Sequence, residues 1–119
     1  MVYTSSSLAL AALEFFVHLD PSVTPNDLVF MSADLPDGDV NIERLQLRDL
    51  PANWRNIDNR DLRVIGSEWA SLRRSVALHV PSAVIEDEWN VLLNPLHIDF
   101  AKIQVNHPKP FRFDERMFR

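Results

Sequence analysis

Residues 3–20, YTSSSLALAALEFFVHLD, decide how the rest of the chain is read. Ser5, Ser6 and Ser7 are candidate N-caps, because a hydroxyl accepts a hydrogen bond from an orphan helix N–H. They lead into an almost wholly apolar helix. From Leu8 to Leu19 only Glu14 and His18 are polar. The helical neighbours of Glu14, three or four residues away, are Leu10, Ala11, Val17 and His18. A carboxylate in such company is partly desolvated, and that is where a pKa shifts and a developing cation finds a stabilising charge. Glu14 is not half of a capping box, since Ala11 rather than Ser or Thr stands three residues before it. Ser7, Ala11, Glu14 and His18 form one stripe at spacings of four, three and four. Two readings of that stripe stand: a functional face, or the wet side of a surface helix.

Working outward, Asp20-Pro21 and Thr24-Pro25-Asn26 break the helix. Strands are expected over Asp27–Leu35 and, after the turn Pro36-Asp37-Gly38-Asp39, over Val40–Leu47. Asp49–Asn59 reads as irregular or briefly helical, and Ile65–Leu72 as a short helix. Further strands are expected at Ser75–Val80, within Ile98–Val105 and at Phe111–Phe113, with Val84–Leu93 closed by Asn94-Pro95. One early helix followed by several short strands predicts an α+β fold with a mixed, largely antiparallel sheet. Helices and strands do not alternate and no glycine-rich phosphate loop is present, so a doubly wound sheet is excluded.

At 119 residues the chain reads as one domain, long enough to bury a core. Its opening so near the central helix creates the expectation that an N-terminal segment is missing. A net charge of −5 argues against direct nucleic-acid binding, which draws on a basic surface. With no cysteine there is neither a disulfide framework nor a thiolate zinc site, which fits a cytoplasmic protein. The apolar run Leu8–Phe16 is too short to span a bilayer and holds a carboxylate, so no membrane association is expected.

Most familiar chemistries find no support. His18, His79, His97 and His107 are scattered, none with a second ligand at metal-binding spacing, so no metal is expected. Glycine occurs only at positions 38 and 66, which rules out a G-x-S-x-G nucleophile elbow. Glu86, Asp87 and Glu88 read as a paired-carboxylate site or as a solvated turn. Ser82, after a strand and Pro81, projects a short hydroxyl from a sheet edge or caps its own turn. Trp54, Trp69 and Trp89 read as core or rim aromatics, and the arginines between positions 44 and 74 as surface charge.

The run from Tyr3, the segment LPANWR (50–55), the run SVALHVPSAVIEDEWNVLLNPLHIDFAKI (75–103) and PFRFDERMF (110–118) together resemble the RES domain. The likeness covers essentially the whole chain. It implies an ADP-ribosyltransferase-like fold and a bacterial toxin that consumes NAD⁺ without a metal, by hydrolysis, phosphorolysis or transfer of ADP-ribose. It further implies an Xre-like antitoxin as partner, and a homo-oligomer is compatible with it. Carried over, Glu14 matches the family glutamate and Ser82 its serine, with Ser75 as the alternative. Tyr3 matches a tyrosine before the helix, and His18 a histidine of the helix. Tyr3, His18 and Ser82 are the expected NAD⁺ contacts, and Glu14, Ser82 and Tyr3 the expected catalytic set. The family arginine belongs to an upstream G-x-R-W-N segment absent here. An inactive module that only binds its antitoxin is therefore the alternative.

Overall fold

A computed structural model describes residues 1–38, 40–56 and 60–118. Asp39 of the expected turn and positions 57–59 of the irregular stretch lie outside the described residues. The elements run β1 (Val2–Ser5), α1 (Leu8–Phe16), β2 (Val29–Phe30), β3 (Ala33–Asp34), β4 (Ile42–Arg44), α2 (Arg60–Leu72), β5 (Ala77–Pro81), β6 (Trp89–Leu93), β7 (Gln104–Val105) and β8 (Lys109–Pro110). Short 3-10 turns cover Leu47–Asp49, Ile98–Lys102 and Glu115–Phe118.

The main sheet has the order β1-β6-β5-β4. β6 pairs antiparallel with both β1 and β5, while β4 runs parallel to β5. A parallel neighbour needs a crossover, and the segment carrying α2 supplies it. Two antiparallel ladders, β2–β8 and β3–β7, flank the sheet. The fold is thus α+β with a largely antiparallel sheet, as expected.

The core lies on both faces of that sheet, because successive strand residues point to opposite sides. One face carries Leu78 and Leu92, which meet Trp69 of α2 with Leu45, Ala70 and Val80 around them. The other carries Ala77, Val91 and Leu93, packed with Val76 and Ile103 and flanked by Leu35, Val40 and Phe100. Burial on both faces is why β5 and β6 read as near-continuous apolar runs rather than alternating ones. Each fully buried Val or Leu contributes about 1.5–3 kcal/mol.

α1 begins where the serines predict: Ser7 Oγ accepts from the Leu10 N–H at 3.1 Å. It ends at Phe16, earlier than the expected Leu19. His18 N–H and Leu19 N–H bond back only three residues, to the Phe15 and Phe16 carbonyls, tightening the chain ahead of Pro21. α1 is held from outside by an aromatic cluster. Phe113 lies 5.7 Å from Phe16, 5.0 Å from Phe111 and 5.8 Å from Phe118, ring to ring. The final strand accordingly falls at Lys109–Pro110; the Phe111 N–H still donates to the Leu28 carbonyl at 2.9 Å, and the Phe111 and Phe113 rings serve that cluster.

α2 starts five residues before the expected Ile65. Its N-terminal turn, Arg60-Asp61-Leu62-Arg63, is charged, but Leu62, Ile65 and Trp69 share a face at spacings of three and four. Trp69 is anchored by polarity as well as packing. Its indole N–H donates to Ser75 Oγ at 2.7 Å, and Ser75 donates to Glu43 Oε2 at 2.7 Å.

Candidate active site

Glu14 leaves the wet stripe of α1: Ser7, Ala11 and His18 are exposed, whereas Glu14 is half-buried. The reason is what it meets. Its Oε1 accepts from Ser82 Oγ at 2.6 Å and from Asn90 Nδ2 at 2.7 Å. Both donors are buried, at 0 % and 2 % exposure. Among the described residues, Oε2 has no hydrogen-bond partner. The carboxylate is therefore fixed through one oxygen and open at the other.

Each donor is itself aimed. Ser82 Oγ accepts from the Val84 and Ile85 N–H groups, both at 3.1 Å. With those two protons directed at its oxygen, the hydroxyl proton can only point toward Glu14. The two readings of Ser82 thus hold together, since it caps its own turn and serves the carboxylate. Asn90 Oδ1 accepts from Ser5 Oγ at 2.7 Å, which leaves Nδ2 to face Glu14. Register places this set, because Ser5 stands opposite Asn90, and Asn90 opposite Val80, one residue before the end of β5. Ser75, by contrast, is committed to Trp69 and Glu43 and does not touch Glu14.

Glu14 and Tyr3 stand between two cavities. The inner one, about 370 Å³, is walled mainly by Leu45, Leu50, Trp54, Leu78 and Leu92, with Asn90 and Arg63 as polar lining. The outer, shallower one is lined by Tyr3, Thr4, Ser5, Ala11, Glu14, Phe15 and His18. Of the expected residues, Tyr3 and Glu14 reach both cavities and His18 only the outer. Ser82 lies behind the carboxylate and lines neither. Although 67 % of Tyr3 is exposed, packing around its phenol and then the charge of Glu14 push its pKa above the usual tyrosine value. It is consequently a neutral hydrogen-bond donor at physiological pH.

The inner cavity has the concave, mostly apolar walls and few convergent polar groups of a small-molecule site. The chain matches the RES domain over residues 1–114. It belongs to the RES domain family. Among its relatives, Toxin Res of Photorhabdus laumondii is 36% identical over 121 residues, spanning 99% of this chain and 76% of the relative. Toxin Res of Yersinia enterocolitica is 36% identical over 118 residues, with 98% and 76% covered. The Prs ADP-ribosylating toxin of a Sphingobium species is 33% identical over 121 residues, with 100% and 75% covered.

Within this RES chain, two cavity residues escaped the reading of the sequence. Asn90 is a polar residue in the apolar run WNVLL, and that interruption was its only local signal. Arg63 was grouped with surface charge, yet it lines the inner cavity. Glu86, Asp87 and Glu88 are exposed in a turn, with Glu86 3.8 Å from Arg55. Among the described residues no group of three or more His, Cys, Asp or Glu side chains is placed to hold a metal. No helix there is long and apolar enough to cross a membrane.

Proposed function

We propose that this RES chain acts on NAD⁺ and breaks the bond between nicotinamide and ribose. The observation that carries the reading is the divided carboxylate of Glu14, held at Oε1 by Ser82 and Asn90 and open at Oε2 beside a cavity. The name of the Sphingobium relative, an ADP-ribosylating toxin, supports the same substrate.

The chemistry follows from charge. The nicotinamide nitrogen is cationic in NAD⁺, so the C1′–N bond breaks with its electron pair leaving on nicotinamide. The ribose is left as an oxocarbenium-like cation, as in glycoside hydrolysis. A preorganised carboxylate opposite that cation stabilises the transition state without reorganising when charge develops. Oε2 of Glu14 either faces the cation or accepts from a ribose hydroxyl. Tyr3, kept protonated, donates to the ribose or the carboxamide. His18 lines the outer cavity, which in this reading is the side from which an acceptor approaches. Ser82 acts by positioning Glu14. The acceptor that attacks C1′ and loses its proton is water, phosphate or a protein side chain, and the three outcomes differ only there.

Nicotinamide release from NAD⁺ by the purified chain, with and without phosphate, tests the proposal. Release from the folded chain that falls by at least about 100-fold in Glu14→Gln is the expected result. A folded wild-type chain that releases none overturns it and leaves the antitoxin-binding module as the reading to pursue.

A further inference from the structure

The inner cavity does not end at α2. Arg63 and Ser67, four residues apart on one helical face, line it together with Glu14 and Tyr3. The same two residues line a second, open groove on the far side, with Arg60, Val64, Glu68, Ser71 and Leu72. They therefore form a ridge between the deeper cavity and a surface groove.

Resting on NAD⁺ as substrate, we propose that the dinucleotide lies across this ridge, with Arg63 reading its diphosphate and the α2 groove taking its adenosine half. Size and charge both favour such an arrangement. At about 370 Å³ the cavity is near the lower end of small-molecule sites, roughly 300–1,000 Å³. That volume suits a nicotinamide riboside half better than a whole dinucleotide. Among the described side chains that line it, Glu14 is the carboxylate and Arg63 the cation. The substrate has the complementary polarity, a cationic nicotinamide followed by two anionic phosphates, so attraction orients it in one direction only. A guanidinium matches phosphate oxygens in bidentate fashion, which suits Arg63 to the ridge. Beyond it, Val64 and Leu72 are 52% and 61% exposed and offer apolar contact to a base. Glu68, Ser67 and Ser71 lie among them as partners for ribose hydroxyls. A second cation, Arg60, keeps the groove attractive to the trailing phosphate.

The test is binding, followed by NMR titration of the full chain with ADP-ribose and with benzamide, a nicotinamide mimic that cannot be cleaved. The expected result is binding of both by wild type. Arg63→Gln weakens ADP-ribose at least about tenfold and leaves benzamide unchanged. Arg63→Lys recovers part of the loss, and Leu72→Glu weakens ADP-ribose without affecting benzamide. Wild-type binding of both ligands, with Arg63→Gln affecting neither or weakening both alike, overturns this placement while leaving the NAD⁺ reading intact. Wild type that binds neither ligand overturns both.

Discussion

Asn90 makes Glu14 a fixed acceptor rather than a mobile surface acid. Its two amide ends are both used, Oδ1 by Ser5 and Nδ2 for Glu14, so the amide cannot flip without losing both bonds. Asn90→Asp keeps the shape and replaces a donor with a second carboxylate against Glu14, in a position 2 % exposed. The expected cost is about 3 kcal/mol at neutral pH, because a buried charge meets a like charge. Chemical denaturation at pH 7 and at pH 4 checks it: the deficit shrinks in acid as one of the pair takes a proton. Glu14 was legible because a lone acid in an apolar helix is conspicuous. Ser82 was legible as a hydroxyl after a strand and a proline. Asn90 was not, since its meaning comes from a partner 76 residues away.

Among the elements, the parallel pair β4–β5 holds an uncompensated group. His79 stands opposite Arg44 and has a buried Nδ1 with no hydrogen-bond partner among the described residues. Desolvation first, and then the Arg44 charge, hold its pKa below the ordinary 6.5, against a smaller opposing pull from the Glu43 backbone. The folded chain therefore binds this proton less readily than the unfolded chain. Stability from His79 is present above about pH 6.5 and is lost as pH falls from there through the lower folded value. Thermal melts at pH 8 and pH 5.5 are expected to show a drop for wild type that is smaller in His79→Gln. An unchanged drop would assign acid sensitivity elsewhere. The helices show the same limit of local reading. α1 was plain from its apolar run and serine cap. The first five residues of α2 were not, because Arg60, Asp61 and Arg63 hide the spacing of Leu62, Ile65 and Trp69 that buries its inner face.

At the scale of the molecule the chain is a slab of 44 × 37 × 21 Å, with one four-stranded sheet wetted on neither side of its centre. Stability is concentrated at β5 and β6, the strands that carry buried residues. The β2–β8 and β3–β7 ladders are two residues long and largely exposed. Hydrogen exchange is expected to reflect this, with amides of β5 and β6 slowest and those of the two short ladders fastest. Comparable protection in β2 or β3 would contradict the assignment. The α+β class was readable from the order of elements, yet the strand order was not. Nothing local tells Tyr3 to stand opposite Leu92. That pairing also sets a clock. During synthesis Ser5 emerges 85 residues before Asn90, and β1 has no sheet partner until β6 has left the ribosome. Glu14 likewise waits for Ser82 and Asn90 before its carboxylate is fixed. Whatever Glu14 does to a substrate through that fixed carboxylate, a nascent chain that has not yet reached Asn90 cannot do.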